Sequence, residues 1–156
     1  MSGYKNNYYY YQPNSEQLNT NKFTFDIATN EHEITGMDFI LEIKGLYEKE
    51  NIAKKIYSII DNECIDFTDR IILKYVIKNQ NYDTFIFHIS GTVWDFYNAY
   101  VKANIKRNFS FLIKLKNNDL NIINAYLKVY YNEPPNDPVS KLFREKPLLS
   151  LFRYNC

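Results

Sequence analysis

Few side chains in this sequence suit acid–base or nucleophilic chemistry near neutral pH: two histidines, His32 and His88, and two cysteines, Cys64 and Cys156. An imidazole can move a proton near neutrality, and a thiol beside it can become a nucleophile. Neither histidine has a partner pattern nearby in sequence, so such chemistry would need His88, Cys64 and a loop carboxylate brought together by the fold. His88 falls in an alternating run, His32 in a connecting segment, and a structural thiol is commoner than a catalytic one.

Asp61, Glu63, Asp66 and Asp69 raise the question of calcium. The stretch lacks the turn glycine and the ligand spacing of a calcium-binding helix-loop-helix, and a solvated turn explains it as well. Gly3, Gly36, Gly45 and Gly91 are the only glycines, and they form no phosphate-cradling loop and no dinucleotide fingerprint. The expectation is a non-enzyme with no catalytic residue, metal ligand, cofactor or small-molecule substrate.

What remains is non-covalent chemistry. Tyr8, Tyr9, Tyr10 and Tyr11 put four phenol rings in succession, a large amphipathic contact area at low entropic cost. Lys102, Lys106 and Arg107, followed by Lys114, Lys116 and Lys128, make the only local basic cluster, a candidate patch for nucleic acid or another partner. The alternative for that cluster is a solvated strand face whose charges discourage edge pairing. Near the end, Leu142, Phe143, Leu148, Leu149, Leu151 and Phe152 are apolar where a tail is usually polar. They must pack on their own domain or on another molecule.

The elements that would position these residues follow from periodicity. Residues 109–115 and 123–131 alternate apolar and polar side chains around Asn117-Asn118-Asp119, which predicts two antiparallel strands joined as a hairpin. Strands are also expected over 22–29, 37–43, 70–78 and 82–90, the last two as a hairpin. Ile52, Ile56, Ile59 and Ile60 fall at i, i+4, i+7 and i+8, predicting an amphipathic helix over 48–62 that covers the sheet. Thr92 and Asp95 resemble a capping box opening a second helix to about residue 104. The fold class expected is therefore α+β: one antiparallel sheet of about five to six strands under one or two amphipathic helices.

Length and composition fit that picture. The chain has 156 residues and a formal net charge of +1 from 19 basic and 18 acidic side chains, so no global field draws it to nucleic acid or an anionic membrane. The expected organisation is a disordered tyrosine-rich arm over 1–22, a single core domain over 23–133, and a proline hinge with an apolar tail over 134–156. Two thiols are too few for a disulfide scaffold and point to a reducing compartment. No apolar run reaches the about twenty residues of a membrane helix, so the expectation is an intracellular protein. The weight of Asn, Ile, Lys, Tyr and Phe is what an AT-rich genome, such as that of many viruses, produces.

The order of strand 37–43, helix 48–62, strands through 70–90 and a closing pair over 109–131, behind an amino-terminal arm, resembles that of rhabdovirus-type matrix proteins. The resemblance covers about two thirds of the chain and is one of elements, not residues. The absence of chemistry and the two unusual arms point to a viral structural protein, matrix- or capsid-like, that self-assembles through Tyr8 to Tyr11 and through Leu148, Leu149, Leu151 and Phe152; a β-sandwich capsid subunit also fits the many short strands, and the matrix resemblance adds polymerisation through the amino-terminal arm. It implies a homo-oligomer that meets a nucleocapsid or RNA in the virion and host cytoplasm, with membrane contact left open. The sequence lacks the lysine-rich arm and proline-tyrosine release motif of that family. A small protein- or RNA-binding module that uses the basic strand face is the alternative, with a small hydrolase behind it.

Overall fold

The computed structural model describes residues 5–14, 22–28, 32–44, 54–115 and 120–133. Its strands are β1 (Lys5–Tyr11), β2 (Lys22–Ile27), β3 (Glu33–Ile43), β4 (Lys54–Ile60), β5 (Glu63–Asp66), β6 (Ile71–Lys78), β7 (Asp83–Ile89), β8 (Phe109–Leu115) and β9 (Ile122–Glu133). The one α-helix among the described residues, α1, runs Gly91–Lys102, and a 3-10 turn spans Thr68–Arg70. The strands form two antiparallel sheets, one ordered β1-β9-β3-β7-β6 and one ordered β2-β8-β4-β5. The described residues are mainly β, with one helix among them where one or two were expected and two sheets where one was expected.

Period-two patterning sends alternate side chains inward from both sheets, and they meet in a single core. Met37, Phe39, Leu41, Phe85, Phe87, Leu127 and Val129 come from the five-stranded sheet; Phe23, Phe25, Ile56, Phe111 and Ile113 come from the four-stranded one. Phe39 is central: its ring centroid lies 5.8 Å from Phe23, 5.9 Å from Phe25 and 5.9 Å from Phe87. These offset and edge-on contacts suit the ring quadrupoles.

α1 closes one end of the sandwich. Val93, Tyr97 and Asn98 are its buried residues. The Tyr97 hydroxyl donates to the Ala28 carbonyl at 2.9 Å, and its ring meets Phe109 edge-on at 5.3 Å. Asn98 accepts from the Ile34 backbone N–H at 2.8 Å and donates to the Ile34 carbonyl at 2.9 Å. β7 pairs with β3 only from Asp38 to Ile43, so the Asn98 amide serves Ile34 in the way a neighbouring strand would. The helix opens at Ser90 without a side-chain cap, so the expected Thr92–Asp95 capping box does not form.

Three other expectations give way. The predicted helix over 48–62 is the strand β4 through Lys54–Ile60; Ile52 lies outside the described residues. Isoleucine is stiff at χ1 and favours strands, and Ile56, Ser58 and Ile60 fit period two as well as the four isoleucines fit period 3.6. The expected acidic loop is a hairpin: Ile60 pairs with Glu63 around Asp61 and Asn62, whose φ values of 48° and 73° match a type I′ turn. Strands β8 and β9 exist as expected but do not form a hairpin with each other. β8 lies between β2 and β4, and β9 between β1 and β3. Alternation fixes which face a residue takes and leaves the partner strand unspecified.

The expected arm over 1–22 contains the strand β1 and ends on the first residue of β2. β1 pairs along its whole length with β9, from Lys5 opposite Glu133 to Tyr11 opposite Leu127. Tyrosine fits a half-buried pleated surface, and alternation turns Tyr11 inward, 2% exposed, with its hydroxyl 2.7 Å from that of Tyr131. The proline hinge and tail, 134–156, lie outside the described residues.

Candidate interaction face

The outer face of the five-stranded sheet gathers the most distinctive side chains. In register across the strands, Tyr10, Lys128, Asp38, His88 and Ile72 form one row. Tyr126, Ile40, Ile86 and Tyr75 form the next. Tyr8 and Tyr130 stand beside the first row at the β1 edge. The Tyr130 ring lies over Gly36, where an added Cβ would come within 3.1 Å of it, so a residue without a side chain allows the ring to settle there.

At the β1 side the rings enclose a cation. Lys128 Nζ lies 4.4 Å from the Tyr8 ring centroid, 4.9 Å from Tyr130 and 5.5 Å from Tyr10. The ring faces attract the ammonium. The rings also meet edge-on, Tyr8 with Tyr10 at 5.5 Å and Tyr10 with Tyr126 at 5.3 Å. A hydrogen bond with Tyr130 raises the Lys128 pKa against the opposing effect of burial. Burial, and then the Glu42 carboxylate, raise that of Tyr126. Glu42 accepts from Asn124 at 3.1 Å and from the Tyr126 hydroxyl at 3.5 Å.

In the middle of the sheet His88 Nδ1 lies 3.1 Å from Asp38 Oδ1, and Trp94 of α1 meets the imidazole edge-on at 5.9 Å. On the β6 side, Ile72, Tyr75 and Ile77 are exposed at 57%, 50% and 44%. Large apolar side chains at that exposure on one sheet face are the usual mark of a surface that meets another molecule.

The four tyrosines singled out in the sequence thus separate. Tyr8 and Tyr10 point outward, Tyr11 inward, and Tyr9 packs against the core at half burial. Leu148, Leu149, Leu151, Phe152 and Lys116 lie outside the described residues. The basic residues do not make one patch. Lys128 sits among the tyrosines of one sheet, and Lys114 lies on β8 of the other. Lys102 pairs with Glu33 at 3.5 Å, Arg107 pairs with Asp61 and lies 5.5 Å over the Tyr100 ring, and Lys106 is exposed in the same connection. Folding pairs two of these cations with acids far away in sequence, which spacing cannot reveal.

The would-be catalytic set is also dispersed. His88 is on the outer face of one sheet, Cys64 on β5 of the other, and His32 is buried just before β3. Cys64 is disulfide-bonded, so the expectation of free thiols does not hold for it. Of the acids, Asp61 pairs with Arg107, and Asp66 accepts from the Thr68 N–H at 2.9 Å. No three His, Cys, Asp or Glu among the described residues are grouped so as to hold a metal ion. A cavity of about 240 Å³ lies between the Asp61–Asn62 turn and α1, lined by Ile60, Glu63, Ile65, Phe96 and Tyr100 beside the Arg107–Asp61 pair. It is below the volume usual for a small-molecule site.

The sequence reading missed the outward row of β3, β7 and β9. Its signal was present in the polar and aromatic alternates Asp38, His88, Tyr126, Lys128 and Tyr130. No helix among the described residues is long and apolar enough to cross a membrane. No protein-family model matches the chain, and comparison with characterised proteins finds no match.

Proposed function

We propose that the chain is a non-enzymatic structural protein of a virion, matrix- or capsid-like, whose copies associate through the outer face of the five-stranded sheet. The observation that carries this reading is the exposure of Tyr8 and Tyr10, at 55% and 43%, on a strand held by pairing along its full length to β9. Rigid aromatic side chains on a fixed backbone lose little entropy when they dock. The same face bears Lys128 in register beside Asp38, so it offers both signs of charge to a second copy. Two stacked antiparallel sheets are also an architecture common among capsid subunits. The matrix-type resemblance drew on a helix over 48–62, where β4 runs, so of the two forms the capsid-like one is favoured.

Light scattering over a range of concentrations tests the proposal. The full chain is expected to self-associate, and Tyr8→Ser with Tyr10→Ser to weaken association about tenfold or more with an unchanged circular dichroism spectrum. A parent chain that stays monomeric at high concentration, or a double variant that associates as well as the parent, refutes it.

A further inference from the structure

The five-stranded sheet ends on β6, and no strand among the described residues pairs with the open side of β6. A long apolar edge of this kind is a template for a further strand. Ile72, Tyr75 and Ile77 stand exposed on its outer face, while Leu73 and Val76 face the core and are half-buried. Two patterns set what the edge accepts: the faces its side chains take, and the residues whose backbone groups point to the open side.

Both follow from the pairing with β7. The strands run in step as far as Leu73 opposite Phe87; the register then shifts, and the next partners are Tyr75 and Ile86. Lys74 is the extra residue of a bulge and is exposed, as Tyr75 is. From Ile71 to Lys78 the faces therefore read inward, outward, inward, then outward for Lys74 and Tyr75 together, then inward, outward, inward. Read backwards from Lys78 the order is the same.

The backbone has the same symmetry. At one end of the pair the Ser90 N–H donates to the Arg70 carbonyl at 2.9 Å, and at the other the Asn79 N–H donates to the Tyr82 carbonyl at 3.0 Å. Bonded and non-bonded positions alternate along an antiparallel pair. Counted inward from each end, Ile72 and Ile77 bond β7, and Ile71, Leu73, Val76 and Lys78 turn their N–H and C=O groups to the open edge. Because of the bulge, Leu73 and Val76 stand one residue further apart in sequence than neighbouring edge-directed residues of a regular strand.

That extra residue selects the occupant. A regular strand in step with Ile71 and Leu73 is out of step with Val76 and Lys78, and matches half of the edge. A second β6, running antiparallel, carries the same bulge at the same place. We propose that β6 pairs edge to edge with β6 of a second copy of this chain, about a two-fold axis at the bulge, with Leu73 bonded to Val76 and Ile71 to Lys78 of the other copy. In this register edge-directed groups meet one another and side chains meet others on their own face. Ile72 then lies beside Ile77 of the second copy on the outer side, and Leu73 beside Val76 on the core side. A shift of one or two residues sets an inward side chain against an outward one.

Charge agrees with this register. Lys74 stands across from Tyr75 of the second copy, a cation beside a ring. Lys78, already held by Asp83 at 2.6 Å, stands across from Ile71, so no cation is directly opposite another. Lysines and a bulge are also what keeps foreign strands off an edge; here they turn away strands that lack the matching bulge. The register offers about eight backbone hydrogen bonds, near the usual number for an interface. The pairing goes beyond association through Tyr8 and Tyr10 and needs no contact from that end of the sheet.

Amide hydrogen exchange of the full chain, followed by NMR over a range of concentrations, tests the pairing. The N–H groups of Leu73 and Val76 are expected to exchange about tenfold or more slowly at high concentration than at low. In a mixture of differently labelled copies, nuclear Overhauser contacts are expected between Ile72 of one copy and Ile77 of the other. Leu73 and Val76 amides that exchange at one rate at every concentration overturn the proposal, as do contacts between copies that join Ile72 to Ile72 or to a strand other than β6. The edge protection is expected to persist in the Tyr8→Ser, Tyr10→Ser variant, and its loss there overturns the proposal too. A parent chain that associates with both edge amides unprotected refutes the β6 pairing and leaves association through the tyrosines standing.

Discussion

Asn98 is where α1 is fastened to the sheet, and its replacement gives a measurement that the geometry fixes in advance. Its side chain makes two hydrogen bonds, 2.8 Å from the Ile34 N–H and 2.9 Å to the Ile34 carbonyl, at a position 9% exposed. Asn98→Ala removes both and leaves a strand N–H and C=O facing a methyl group. At about 1–3 kcal/mol for each buried group left without a partner, with some recovery by water, the expected loss is about 2–4 kcal/mol. For a chain of this size, at about 2–4 °C per kcal/mol, that lowers Tm by about 4–16 °C.

Asn98→Asp sharpens the test. An ionised carboxylate accepts from the Ile34 N–H but faces the Ile34 carbonyl with no proton to donate, whereas the neutral acid does both. The folded form therefore holds that proton more tightly than the unfolded chain does, and this variant gains stability relative to Asn98→Ala as pH falls from 7 toward 4. Urea unfolding followed by circular dichroism at both pH values measures each quantity. If both variants unfold within about 0.5 kcal/mol of the parent, and the gap between them does not change with pH, the fastening assigned to Asn98 is wrong.

Two further outcomes follow from the same packing. Ser58 is 0% exposed, and its hydroxyl has no hydrogen-bond partner among the described residues, so Ser58→Ala is expected to be neutral or to raise stability by about 1 kcal/mol; a loss above about 1 kcal/mol in urea unfolding contradicts this. Tyr126 and Lys128 both have pKa values raised above their ordinary 10.0 and 10.5, so their contribution to stability is complete below about pH 10 and is lost as pH climbs through the raised folded values. Tyr126→Phe with Lys128→Met should then flatten the fall of Tm above pH 10, and an unaltered slope in a thermal scan would show that the tyrosine cluster does not hold these protons.

Much of the chain was legible without coordinates. Alternation placed the runs around 37–43, 70–78, 82–90, 109–115 and 123–131 in strands. The apolar periodicity Val93, Tyr97, Tyr100 placed α1, because a one-sided stripe at a helical period has no other way to bury itself. Where two periods fit, local pattern could not choose: Ile56, Ile59 and Ile60 serve a helix or a strand, and only pairing with β8 and β5 decided for the strand. The Asp-Asn pair at 61–62 was a readable hairpin signal that its acidic neighbours obscured.

Sequence by itself determined composition, charge balance and, in the runs that alternate clearly, which residues share a face, since those depend on residue type and on a backbone period that is the same everywhere. Tertiary structure decided which strands pair, that β8 and β9 part into different sheets, that Tyr8 and Tyr10 face outward while Tyr11 does not, and that Lys128 is held by aromatic rings. These outcomes depend on contacts between residues far apart in the chain, as between Tyr11 and Tyr131, 120 positions apart. Such contacts are selected by the total burial of both sheets at once, a quantity that no local stretch of the chain contains.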